Sequence, residues 1–345
     1  QAKFGDVFKN GANGSTVQFL TSHAAEEYLK HSNTLTVVRV MAAGSQGFAP
    51  ATATVATSSG VDPDQIYGES AFTLETLADG TIMNNADATA TTNNIMLSGS
   101  KHNIRYEITS VNTTKGTFTL LIRAGNDSQK RKQTLETFNN LTLDPNSTNY
   151  ISKVVGDQKQ VVRTDGTTKY LQLTGSYANK SRFVRVSAVN SNTVDYLDEN
   201  GNIRDGNASG SLPLAGSGSS HGGFTGATDG HSGFDALGNN NGDTGLSTTN
   251  FYEDITQTNS QGLNPAAADD GLDAYTEALD LIANQDEFDV NLILMPGIID
   301  SLHSSVSAKA IDVCESRGDC FTIIDPVPYN STLTAATTRG EARDS

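Results

Sequence analysis

Chemistry in this chain would have to start from a few short stretches. Gly175-Ser176-Tyr177-Ala178-Asn179-Lys180-Ser181 ends like a phosphate loop, in which backbone amides cradle the anion and the lysine meets the outer phosphate. Asn179 stands where the second glycine belongs, and one residue too few separates the ends. The amides cannot wrap a phosphate in the usual way. Gly230-His231-Ser232-Gly233-Phe234 resembles a nucleophile elbow without its last glycine, and it lies in low-complexity sequence rather than between a buried strand and a helix. Asp198-Glu199-Asn200-Gly201-Asn202 opens like a calcium loop. Its glycine comes too early and no bidentate glutamate follows, so Asn200-Gly201 is better explained as a tight turn.

The six histidines form no HExxH pair. Cys314 and Cys320 lie six apart with only His303 nearby, whereas zinc wants four ligands in tight pairs. The two cysteines read as small buried apolar side chains at a helix end and a strand start. They are expected to be reduced thiols. Asn112-Thr113-Thr114 and Asn146-Ser147-Thr148 are sequon-like, as chance provides in an Asn/Thr-rich chain. No catalytic, cofactor-binding or metal residue is assigned, and the chain is read as a non-enzyme.

Bulk properties narrow the partners. The formal charge of −16 lacks the basic stripe that replaces phosphate counterions, so no nucleic acid is expected. Lys130-Arg131-Lys132 reads as a solvated face. No apolar run reaches the ~20 residues that span a bilayer, so no membrane insertion is expected. The 345 residues suffice for a real core. Apolar residues make up 36%, and Gly, Asn, Thr and Ser fill the shortfall, which favours strands and turns over helix bundles.

The elements follow from periodicity. Val17, Leu20, Ala24 and Tyr28, with the flanking Ala25 and Leu29, fall at helical spacing, and Leu35 to Val40 is β-branched and short, hence a strand. Residues 43–99 read as an exposed loop-rich or weakly β insertion. Ile104–Ile108 and Thr117–Ile122 alternate as strands of a hairpin. Thr134–Phe138 reads as a short helix, and Leu171–Leu173 and Phe183–Val189 as strands. Residues 198–250 hold little to bury and read as a long surface loop, the first place a protease should cut.

The last third is clearest. Asp269 or Asp270 caps a helix whose face is Leu272, Tyr275, Leu279 and Ile282. Val290–Met295 is an apolar strand stopped by Pro296-Gly297. Leu302, Val306, Ala310 and Val313 mark a second helix, and Cys320–Ile324 a second buried strand. Helix, strand, helix, strand with apolar strands implies parallel pairing through a crossover. The fold class is α/β (α+β): a mixed sheet with helices in the core, plus a β-rich or loop-rich insertion. Residues 1–42 and 100–345 would form the core domain with a β-rich middle, and 43–99 the insertion.

Four phrases, in order, resemble the contractile tail sheath proteins of T4-like bacteriophages. They are Phe4-Gly5 with Asn33-Thr34-Leu35-Thr36-Val37-Val38-Arg39-Val40; Phe138-Asn139-Asn140-Leu141-Thr142-Leu143-Asp144-Pro145-Asn146-Ser147-Thr148-Asn149-Tyr150; Asp289-Val290-Asn291-Leu292-Ile293-Leu294-Met295-Pro296-Gly297; and Cys314-Glu315-Ser316-Arg317-Gly318-Asp319-Cys320-Phe321 with Ile324-Asp325-Pro326. The resemblance implies a structural virion subunit that assembles in the host cytoplasm. Its partners would be neighbouring copies in a six-fold helical polymer, the tail tube and the baseplate. Contraction would drive the tube through the host envelope for genome ejection, by a bistable interface rather than chemistry. The chain is read as a fragment lacking the family's N-terminal arm and C-terminal domain, which knit neighbours by strand addition, and so as a monomer by itself. The alternatives are a secreted or surface β-rich adhesin, and an α/β hydrolase or nucleotide-binding enzyme.

Overall fold

The computed structural model describes residues 8–9, 16–17, 20–40, 48–58, 70–85, 95–166, 168–215, 222–229, 254–261 and 263–344. In chain order the elements are β1 (Phe8–Lys9), β2 (Thr16–Val17), α1 (Leu20–Leu29), β3 (Phe48–Ala56), β4 (Ser70–Asp79), β5 (Ile104–Asn112), β6 (Thr117–Ala124) and β7 (Thr134–Leu141). There follow α2 (Ile151–Val155), β8 (Lys159–Asp165), β9 (Thr168–Thr174), β10 (Val184–Val189), β11 (Thr228–Asp229), α3 (Asp273–Ile282), β12 (Leu292–Ile299), α4 (Ser304–Arg317), β13 (Phe321–Asp325) and α5 (Leu333–Asp344). Helices and sheets, parallel and antiparallel, are mixed as the sequence implies.

Two compact units divide the chain. The β unit comprises 48–161 and 173–228; the α/β unit comprises 1–47, 162–172 and 229–345. In the β unit one sheet runs in the order β10-β4-β3-β11 and another in the order β5-β6-β7. Alternation sets the inward faces. Ala51, Ala53, Val55, Phe72 and Leu74 from the first sheet meet Ile104, Tyr106, Ile108, Phe118, Leu120 and Ile122 from the second in one buried cluster. The Phe72 and Phe118 rings stack at 5.7 Å between centroids. This is face-to-face sheet packing, sealed by Ile151 and Val155 of α2.

Where residues 43–99 are described, they are β as one of the two expectations had it, but β3 and β4 are buried sheet strands instead of an exposed insertion; the units divide at 47/48, close to the expected 42, and nothing divides them at 100. β3 carries small residues at its inward positions, Ala51, Ala53 and Val55, which lets large side chains of β4 and of the facing sheet fill the layer. Thr134–Phe138 is likewise a strand and not a helix. It pairs with β6, placing Phe138 opposite Leu120, and that pairing overrides local propensity. The stretch 198–250 is a surface loop only in part. Ala208, Leu212, Phe224 and Ala227 are buried, and Phe224 meets the Tyr106 ring edge-on; residues 216–221 and 230–253 lie outside the described residues.

In the α/β unit the helix–strand–helix–strand reading holds. β12 and β13 pair in parallel, with Leu292 opposite Phe321, Ile293 opposite Thr322 and Leu294 opposite Ile323. Leu279 of α3 and Ala310 and Val313 of α4 pack on Ile293. Three details differ from expectation. A π-helical turn over Ala268–Leu272 precedes α3, so Asp269 and Asp270 lie inside helical backbone instead of capping it. Pro296-Gly297 does not stop β12. The strand bulges there, with Gly297 at φ 94°, and resumes through buried Ile298 and Ile299. Leu35 to Val40 forms no strand, because no sheet neighbour pairs with it among the described residues.

Candidate functional site

The near-motifs of the sequence can be placed first. In the Gly175–Ser181 loop, the Asp157 carboxylate accepts hydrogen bonds from the amides of Ser176 (2.8 Å) and Tyr177 (2.7 Å). An internal anion thus holds the donors a phosphate would need. Asp198 accepts from the amides of Asn200 (2.8 Å) and Asn202 (2.7 Å). Those bonds, led by the Asn202 amide, hold its carboxyl below the usual range, which marks a local turn. Gly230–Phe234 lies outside the described residues. Lys130 and Arg131 are solvated as expected, but Lys132 reaches inward to Glu107 at 2.7 Å.

Asp300, His303 and Ser307 converge at the corner between β12 and α4, all buried. They do not form a nucleophile–base pair. Ser307 donates to Asp300 at 2.5 Å, and Asp300 also binds Arg339 of α5. His303 Nδ1 accepts from the Ile299 amide at 3.1 Å, so Nε2 carries the proton and donates to the Thr256 carbonyl at 2.9 Å. The corner is a staple. His303 ties down the segment 254–261, whose Ser260 and Gln261 side chains donate to the carbonyls of Gly297 and Pro296 in the bulge. Gln261 also accepts from the Leu20 amide that opens α1.

This staple has a pH signature. Burial lowers the His303 pKa below its ordinary value of 6.5, more than the Thr256 bond raises it. A lowered folded-state pKa means that the unfolded chain binds the proton more readily. The stabilisation is complete above about pH 6.5 and is lost as pH falls through the lower folded value. Thermal melting of the α/β unit should drop between pH 7 and 5, and His303→Gln should flatten that slope. An unchanged slope in the variant would remove His303 from the account.

The feature that stands out is the far face of the β12–β13 sheet. Strand alternation puts Ile293 toward the helices and Leu292, Leu294, Phe321 and Ile323 on the opposite face. That face is open: Phe321 is 61% exposed, Ile323 55% and Leu294 39%. The sequence reading of Cys320–Ile324 as a buried strand is thus corrected, since among the described residues only one side of β13 is covered. Parallel sheets are normally covered on both faces, because a run of apolar residues leaves no side suited to water. Phe321, Ile323 and Ile324 are apolar, but an apolar strand does not say which of its faces the rest of the chain covers.

No family model, curated protein or solved structure matches this chain.

Proposed function

We propose that this protein is a structural subunit of a phage contractile tail sheath, and that the open β12–β13 face is where its assembly partner packs. The observation that carries the reading is the exposed row formed by Leu294, Phe321 and Ile323 on a parallel sheet, one face of which nothing covers among the described residues. The four family-like phrases give the reading its direction, and two of them, Asp289–Gly297 and Cys314–Phe321 with Ile324–Pro326, overlap these strands. Large exposed apolar patches mark protein interaction sites. A subunit whose work is mechanical stores energy in contacts that differ between two assembled states, with neighbouring copies, the tail tube and the baseplate as partners.

The test compares the 345-residue chain with the product of the complete reading frame that encodes it, whatever its extent. Light scattering should give a single-subunit mass for the 345-residue chain across concentration, and electron microscopy should find tubes of the reading-frame product. Hydrogen exchange at residues 321–324 should slow at least tenfold on assembly, the change that burial of an edge strand brings. Tubes with unchanged exchange at those residues would remove the face from the interface. The absence of any polymer would sink the sheath reading.

A further inference from the structure

Cys314 ends the inward stripe of α4, and Cys320 stands just before β13. Between them the chain reverses through Gly318, which adopts the left-handed conformation (φ 70°) and donates its amide to the Cys314 carbonyl at 2.9 Å. This C-terminal cap brings the two sulfurs to 3.6 Å, where they share a hydrogen bond. Both residues are half-buried, and both pack against the cluster of Leu279, Ile293, Ala310 and Val313. The sequence reading of two small apolar side chains accounts for the packing but not for the sulfur–sulfur approach.

We propose that Cys314 and Cys320 form a dithiol site that a small-molecule disulfide of the glutathione class closes reversibly into an intramolecular disulfide. The inference is independent of the assembly reading. The Cys320 thiolate attacks one sulfur of oxidised glutathione, and the glutathione S–S bond breaks. One glutathione thiolate leaves and a mixed disulfide forms on Cys320. Cys314 then gives up its proton and attacks the Cys320 sulfur, expelling the second glutathione. Two protein thiols are oxidised by two electrons, one glutathione disulfide is reduced to two thiols, and the two protons pass to the leaving groups.

The geometry supports each step. The sulfurs must close from 3.6 Å to about 2 Å, a movement within reach of side-chain rotation. The hydrogen bonds of Arg317 and Asp319 hold the turn on either side of Gly318, so the closure falls to the two cysteine side chains. Burial, helped by the shared hydrogen bond, pushes the Cys314 thiol up to about 12, so Cys314 does not open the reaction; it attacks only once the mixed disulfide is held beside it by the 3.6 Å approach. The ring closed by the bond is short, so it constrains the unfolded chain little and the bond stays easy to reduce.

The experiment incubates the folded protein in glutathione buffers of graded oxidation, quenches with acid, alkylates and maps the peptides. The titre should fall from two thiols to none, with one internal Cys314–Cys320 link and no dimer. Exchange of the Gly318 amide should slow several-fold on oxidation and recover on reduction. Cys314→Ser should accumulate a glutathione adduct on Cys320, whereas Cys320→Ser should leave Cys314 unmodified. Two unmodified thiols in fully oxidised buffer would overturn the proposal. So would links between molecules, or a lasting glutathione adduct in the unsubstituted chain.

Discussion

Replacing Asp127 with alanine should cost the β unit about 3–5 kcal/mol, the scale for stranding buried charge. The cause lies on the outer face of β5 and β6. Strand register puts Arg105 directly opposite Arg123, and both are fully buried. Like charges placed so would repel. Asp127 resolves the conflict by accepting from Arg123 Nε at 2.7 Å and Nη2 at 2.9 Å, and from Arg105 Nη1 at 3.2 Å. Glu107 takes Arg123 Nη1 at 2.8 Å on the other side and binds Lys132 at 2.7 Å. Burial, and next the proximity of Arg123, lower the Arg105 pKa to about 10, so the carboxylate works against a cost already present. Urea denaturation followed by circular dichroism, with hydrogen exchange along β5 and β6, measures the loss. The double variant Asp127→Ala with Arg105→Met should recover at least half of it, because one of the facing cations is then gone. A loss for Asp127→Ala of under about 1 kcal/mol, the worth of an exposed pair, would refute the network's importance.

Arg317→Ala should cost the α/β unit about 2–4 kcal/mol, from carbonyls left without donors and packing lost around the side chain. The Arg317 guanidinium donates to the carbonyls of Ile282 (2.5 Å) and Phe288 (2.9 Å), and so grips both ends of the turn between α3 and β12. Asp319 engages it through two further bonds, at 2.8 and 2.9 Å, while Gln285 returns a bond to the Arg317 carbonyl. The hydrogen bond to Asp319 leads the rise in the Arg317 pKa, so the cation persists at any working pH. Lysine offers a point charge without the planar fork, so Arg317→Lys should restore less than half of the loss. Full restoration would mean that charge alone matters and that the fork geometry does not.

How much of this was readable beforehand varies along the chain for physical reasons. Residues 272–325 were legible because Leu279, Val306, Ala310 and Val313 mark helix faces and Leu292–Met295 is an apolar run. Local periodicity there coincides with burial. β3 was hidden because its inward residues are Ala51, Ala53 and Val55, whose small size imitates loop composition. The ionic network left a trace that went unread: Arg105 and Glu107 alternate with Ile104, Tyr106 and Ile108, which announces a charged second face. That Arg123 stands opposite Arg105 depends on register, and register is a property of the pair of strands, not of either one. The open face of β13 was misjudged for a related reason, since an apolar run says that a cover is needed without saying who provides it.

The division of the chain into interleaved units has a consequence for synthesis on the ribosome. All of the β unit lies between residues 48 and 228, so it can close while the final third is still unmade. The helix α1 emerges early, yet the Gln261 side chain that receives its first amide follows 241 residues later. α1 must therefore wait through the manufacture of a whole second unit before it meets β12, the strand it packs beside. Slowing translation after residue 228 should leave nascent chains with a protease-resistant β unit and an α1 that is still cut.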